Sequence, residues 1–564
     1  MKRRIGPTRL FAALLVPVAI LAAACSSSST KTATTATTAA STSVPQGGTL
    51  TIGAEQEPDC MDWTDQCAGS SWGYWDANVP TMPRAFDAQK QSDGSYKYVP
   101  NVLLDGAPTV VTSPQLKITY KINPKAVWSD GQPITSTDFK YTWQHITTGT
   151  NIYDPTGYQN ISSVDDSDPH TAVVTFSKPY AVWQSLFGGG YGIFPSHILQ
   201  GQDQDALMKD GYKWSGGPYM IQSWDKGSSI TLVPNPKWYG ATKSHLDKVV
   251  FQLVADTAAE FQAFKAGQVK MIYPQPQIDV VNQIGAGIPG ANSTYTADTG
   301  SFEVIWMNDG AAPLNDVKVR QAIGYSIDRN AIVKTLFGKL GVTQALNVIN
   351  APIVNSYSNP QAFAEYKLDV SKAQSLLTSD GYTKDSSGIY AKGGQELSLT
   401  IRSTTGNKRR ELTEQVLQKQ LATVGIKLTV ANQAASDLFG TTLPAGDFQL
   451  ALYAQDLTSI DPGRCNIFCS SNIPVPPDNS GENWTRTNVS GLDTNLATVD
   501  NSLNNSTRTS ANKTADGITA SQAISLPLDP LPDIVLWQKT VVGPVGDNAI
   551  LGPWWNLQEW GVKS

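Results

Sequence analysis

A chain of 564 residues is long enough for two or more domains, because a single hydrophobic core stops growing at about 250–300 residues. With 40% hydrophobic and 16% charged residues and 15 tryptophans, the composition is that of a folded globular protein and excludes wholesale disorder. A net charge of −6, from 42 basic and 48 acidic side chains, argues against the basic face on which nucleic-acid binders hold phosphate.

The chain begins with the basic run MKRR and an apolar stretch from Leu10 to Ala24, whose 15 residues are too few for a comfortable membrane span. Setting aside Lys2, Arg3, Arg4 and Arg9 with such a leader leaves 38 basic residues against 48 acidic ones, so the mature chain is the more acidic form. The stretch closes on LAAAC. Ala22, Ala23 and Ala24 before Cys25 resemble the lipobox of bacterial lipoproteins, whose cysteine takes the lipid and becomes the new N-terminus, although Leu21 stands one place further out than is commonest. That resemblance implies a lipoprotein signal peptide over 1–24 and lipidation at Cys25. Residues 25–48 are rich in Ser, Thr and Ala without apolar periodicity and read as a flexible tether, with a reach of roughly 25 Å.

Five cysteines are present, and assigning Cys25 to lipid leaves Cys60, Cys67, Cys465 and Cys469. Of the three ways to pair four cysteines, the local pairs Cys60–Cys67 and Cys465–Cys469 are the simplest, and they fit an oxidising compartment outside the cytoplasm. Their spacings do not match a zinc knuckle. His145, His170, His197 and His245 stand far apart, so neither a metal nor a cofactor is expected from local motifs.

From TLTIGAE at residue 49 onward, short β-rich runs follow one another: LKITYKI, TAVVTF, ITLVP, KVVFQLV, FEVIWMN, LSLTIRS, IKLTVA and FQLALYA. Helical patterns alternate with them in the second half: DTAAEFQAFKAGQ, VKVRQAIGYSIDRNAIVKTLFG, DVSKAQSLLTSDGY and KRRELTEQVLQKQLATVG. The alternation predicts α/β lobes with largely parallel sheets. In AVWSDGQPITSTDFKYTW, Asp130-Gly131 is a turn and Thr135 an N-cap with Asp138 at N3, so both acids are read as structural. GSSWG at 69–73 fits a nucleophile elbow only if a strand precedes it, and a polar loop does; GAGIPG at 285–290 leaves no helix N-terminus for a pyrophosphate. No catalytic constellation emerges, and the chain is not expected to be an enzyme.

AVWSDGQPITSTDF resembles the WSDG-x-P-x-T-x-x-D signature of the family 5 solute-binding proteins, the dipeptide and oligopeptide receptors of ABC importers. GGPYMIQSWDKGSSITLVPNPKWYG, AAEFQAFKAGQVKMI, LNDVKVRQAIGYSIDRNAIV, AQSLLTSDGY, LQKQLATVGIKLTV and GDFQLALYAQDLTSIDPG resemble further family segments in the family's order. The resemblance implies an α/β, two-lobed periplasmic-binding-protein-like fold of cluster C type, with an extra β-rich subdomain in lobe I. Lobe I would span 49–299 plus 540–564, with the subdomain near 72–190, and lobe II 300–539. SFEVIWMN and DIVLWQK would cross between them, with Trp306 and Trp537 near the hinge.

A receptor must meet a buried ligand amine with a carboxylate and a buried ligand acid with a cation. By resemblance the amine partner is Asp456, with Tyr453 as a neighbouring wall and Arg464 as partner for a ligand acid. Ala454 stands where the family often has Trp, and the run up to Asp456 is shorter by one or two residues. Met61-Asp62-Trp63 occupies the place of the family's L-D-P, which puts Glu57 where a ligand-contacting acid can occur, and Asn308 follows the crossing strand. The function implied is a monomeric, lipid-anchored extracytoplasmic solute-binding protein that delivers a small ligand, foremost a peptide, to an ABC permease. A lipid-anchored extracellular glycan hydrolase, and a receptor of this fold used for sensing or for a non-peptide ligand, are the alternatives.

Overall fold

The computed structural model describes residues 44–564 except 66–68, 70, 298, 544–545 and 564. The expected signal peptide, Cys25, most of the tether and Cys67 lie outside these residues. Among the described residues, no helix is long and apolar enough to cross a membrane.

Two large sheets organise the chain. The first has seven strands in the order 291–296, 533–538, 271–272, 49–54, 248–253, 229–234 and 219–225. The second has five, ordered 427–430, 398–402, 450–456, 301–307 and 526–530. Every β-rich run read from the sequence appears as a strand, most with one face buried and Ser301–Met307 buried on both. The sheets are mixed rather than largely parallel, which corrects the expectation from alternation. Thr49–Ala54 runs parallel to both neighbours, and Ser398–Arg402 likewise, but the strands flanking them reverse. The physical cause is connectivity. Tyr219–Asp225 and Ser229–Pro234 form a hairpin, and Ser301–Met307 and Asp533–Gln538 arrive from the other sheet and pair antiparallel.

The chain passes between the sheets twice, once after Ala291–Thr296 into Ser301–Met307 and once after Leu526–Pro530 into Asp533–Gln538. Trp306 lies well inside the second sheet and Trp537 inside the first, each several residues from its passage. One large buried apolar cluster is drawn from 50–273 and 535–560, another from 281–531, and a smaller third joins Phe261, Phe264, Val269, Ile272, Val280, Ile534 and Leu536. A four-stranded antiparallel sheet, 109–111, 117–121, 171–176 and 161–168, carries the β-rich segment before the hairpin of 219–225 and 229–234.

Helix boundaries follow their caps. Asp256, Asp316, Asp328, Asp369 and Asn407 each accept a backbone N–H in the first turn of the helix they precede. The run read as one helical pattern over 317–338 is therefore two helices, Val317–Tyr325 and Arg329–Phe337, because Asp328 caps a new start. Thr135 and Asp138 form the expected capping box of Ser136–Thr148. GAGIPG closes the helix Ile278–Ala286 instead of opening one, with Gly287 at φ 78° beyond its end. Cys465 and Cys469 form a disulfide, and Cys60 is disulfide-bonded as well.

Candidate functional site

At the passages between the sheets lies a cavity of about 220 Å³. From the second sheet it is lined by Ser301, which begins one strand, and by Tyr453 in the middle and Asp456 at the end of its antiparallel partner. From the first side come Ser71, Trp72 and Trp75 of the helical stretch 71–81, Tyr273 and Gln275 beyond the strand Met271–Ile272, and the C-terminal segment 547–550. Trp72, Trp75 and Tyr273 meet edge to face, with centroids 5.4–6.1 Å apart, so one wall is a rigid aromatic corner.

Asp456 closes the register of its strand opposite Ser301. Its two carboxylate oxygens accept from the hydroxyls of Ser301, on its own sheet, and Ser71, across the cavity. Burial raises its pKa, while the two hydroxyls hold it down. Ser71, inside the GSSWG string, thus begins a helix and serves as a hydroxyl donor. Tyr453 is stacked on Trp306 at 5.1 Å and meets Phe439 edge-on, and its burial drives the phenol pKa upward.

The other three residues singled out from sequence are placed differently. Arg464 borders the cavity, but its guanidinium is fully buried and committed to Asp516 at 2.8 Å and to Asn512 at 3.0 Å. It is therefore not a free partner for a ligand acid. Asn308 is 1% exposed and donates to Gly446 O and Phe448 O, while its Oδ1 accepts from Gly310 N. It closes a turn and does not line the cavity. Glu57 accepts from the Trp224 indole at 2.7 Å and from Gly227 N, and borders a separate cleft of about 200 Å³ together with Asp59, Thr404 and Ser436.

The family model described as "Bacterial extracellular solute-binding proteins, family 5 Middle" matches residues 98–469. The chain belongs to the family 5 solute-binding proteins. Oligopeptide-binding protein OppA of Mycobacterium tuberculosis (strain ATCC 25618 / H37Rv) is 27% identical over 392 residues, covering 66% of this chain and 62% of the relative. This solute-binding protein therefore matches under two thirds of that relative's length. Among solved structures, the oligopeptide-binding protein AppA from Bacillus subtilis, in complex with a nonapeptide, superposes with a TM-score of 0.80 at 20% identity, covering 92% of this chain and 100% of that one. NikZ from Campylobacter jejuni, in complex with Ni(L-His), gives 0.77 at 20% identity, covering 91% and 99%. The likeness establishes the two-lobed α/β fold.

Several cavity residues of this solute-binding protein have no local sequence signature. Glu482 accepts 2.7 Å hydrogen bonds from Tyr153, Gln455 and Asn466, and burial with Asp154 nearby raises its pKa to about 7. Asp500 reaches about 7 from burial, with Asp154 and Asp461 adding to the rise against Arg508. Glu482 lies on a loop and Asp500 near the end of the helix Leu492–Asn501, while Asp154, which acts on both, comes from a distant segment, so no local spacing marks the group. Tertiary structure also brings Asp62, His145 and Asp205 together, with ligand atoms within 4.8 Å of one another, an arrangement of donors that could hold a divalent cation. Local spacing gave no sign of it, because the three residues come from separate segments.

Proposed function

We propose that this protein captures a peptide in the cavity between its lobes and hands it to the permease of an ABC importer. Asp456 carries the reading, because it is a buried carboxylate at the end of a second-sheet strand and accepts from Ser71 across the cavity. A peptide amine placed there would be held by the same carboxylate that ties the two sides together. The ligand then touches both lobes only when they are closed, and binding favours closure by that difference in affinity. The relatives named as oligopeptide-binding proteins support a peptide as cargo.

Within the same reading, the chain is anchored by lipid at Cys25 after removal of 1–24 and held off the membrane by the tether, with lobe I formed by 49–299 and 540–564 and lobe II by 300–539. Tyr453 walls the ligand. The test is retention of a defined tripeptide, trialanine, by the purified protein, followed by calorimetry and by mass spectrometry of the released ligand. One equivalent bound and recovered intact is the expected result, whereas recovery of cleaved peptide would refute capture. Asp456→Asn keeps the shape and removes the charge, so affinity should fall by about 2 kcal/mol while the melting temperature holds or rises.

A further inference from the structure

The charge balance of the cavity goes further than a single amine site. Among the described residues its lining holds two cations, Arg410 and Arg464, and both are already used: Arg410 binds Glu303 at 2.7 Å and Arg464 binds Asp516 at 2.8 Å. Of the lining acids, Asp461 is paired with Arg508 at 2.9 Å. Asp154, Asp456, Glu482, Asp500 and Asp547 also line it, and none of the five has an ion-pair partner among the described residues.

These acids fall into two groups. Asp547 is bonded to the carboxyl of Asp533, which accepts from the Tyr273 hydroxyl, with Asp456 acting on Asp547 from nearby, and Asp154 acts on both Glu482 and Asp500. In each group one carboxylate oxygen is left over. Asp500 is 5% exposed, and its Oδ1 has no hydrogen-bond partner among the described residues, nor has Oδ1 of Asp547. Glu482 is saturated by three neutral donors that orient it without neutralising it. Carboxylates gathered away from water without a cation are costly: burial is the largest cause that raises the pKa of each, and a cation placed among them offsets that cost. Aromatic faces at the second group, Tyr153 and Trp484 at 5.8 Å and Tyr158 and Tyr191 at 6.2 Å, add a surface that cations favour.

We infer that the ligand of this cavity carries two cationic groups, one met by Asp456 and Asp547 and the other by Glu482, Asp500 and Asp154. This rests on the capture reading and narrows its cargo to basic peptides or other dications. A peptide amine satisfies the first group, and a lysyl or arginyl side chain the second. A free polyamine offers the same chemistry without a peptide backbone.

The experiment is calorimetry on the purified full chain with four probes: trilysine, trialanine, triglutamate and spermidine. Trilysine binding at least tenfold tighter than trialanine, with triglutamate weakest, is expected. Equal affinity for trilysine and trialanine would overturn the inference and leave peptide capture standing. Binding of spermidine with none of the peptides would keep the dication and discard the peptide, and failure of all four would discard both. In the double variant Glu482→Gln, Asp500→Asn the preference for trilysine over trialanine should shrink at least tenfold; an unchanged preference would refute the assignment of the second group. If that variant melts early, Asp500→Asn alone gives the same reading, since its Oδ1 makes no hydrogen bond to lose.

Discussion

Asp138 shows how a residue read correctly as a cap takes on more when the chain is folded. Its carboxylate accepts from Thr135 N at 2.9 Å, closing the capping box, and also from Ser196 N at 2.8 Å, Ser196 Oγ at 2.6 Å and the Trp128 indole at 3.3 Å. The side chain is 1% exposed, so it fastens the helix to a segment 58 residues away. A cap alone is worth about 1 kcal/mol. Leaving buried donors unpaired adds the desolvation cost of each, so Asp138→Ala should lower unfolding free energy by about 3 kcal/mol in urea titration. Ligand affinity should hold, since Asp138 does not line the cavity. Asp130 is also structural, accepting from Gln132 N and pairing with His197 at 2.8 Å. The role of both acids was legible because turn and cap chemistry is local. The Ser196 and His197 contacts were not, because they depend on where a distant segment packs.

At the level of elements, the passages between sheets carry the sharpest constraints. Gly300 lies just before Ser301–Met307, and a Cβ built on it would sit 1.9 Å from Ala549 O. Gly300→Ala must push apart the passage and the C-terminal segment, and a loss of about 2 kcal/mol or more is expected by thermal or urea unfolding. In the adjoining strand, Glu303 is fully buried and meets Arg409 at 2.9 Å and Arg410 at 2.7 Å, both from the helix Lys408–Val424. Arg409 also reaches Gln275 at 3.1 Å, beyond the strand Met271–Ile272 of the first sheet. Glu303→Gln leaves two buried guanidiniums short of charge and should cost about 3–5 kcal/mol. Strands and caps could be read from periodicity and residue type, since both are imposed by nearest neighbours along the chain. Strand direction could not: the antiparallel arrival of Ser301–Met307 and Asp533–Gln538 is set by the path between sheets.

For the whole molecule, the acid excess shows in its pH response. Burial is the largest cause that raises Glu55, Asp59, Glu414, Glu482 and Asp500 to about 7, and Asp529 to about 8. Their ordinary values are near 4, so the folded state binds protons more tightly than the unfolded chain between these limits. The stability they contribute is complete below about pH 4 and is lost as pH rises through about 7–8. Glu303 runs the other way: burial pushes it up, Arg409 and Arg410 outweigh that, and the stability from its net lowering is lost only as pH falls below its ordinary value of 4.5. Melting temperature measured from pH 8 down to about pH 5 should therefore rise, and a flat or falling profile would contradict the burial of these acids. The sequence by itself determined the family, through segments in fixed order, and the fold by resemblance to that family, while the strands and caps rest on local periodicity and turn chemistry. It also led to Asp456, at the end of a recognisable strand. Only the tertiary structure decided that Arg464 and Asn308 are spent internally, that Glu57 faces another cleft, and that Asp154, Glu482, Asp500 and Asp547 border one cavity. Charges separated by hundreds of residues act on each other through space and burial, and neither is written in the spacing of a chain.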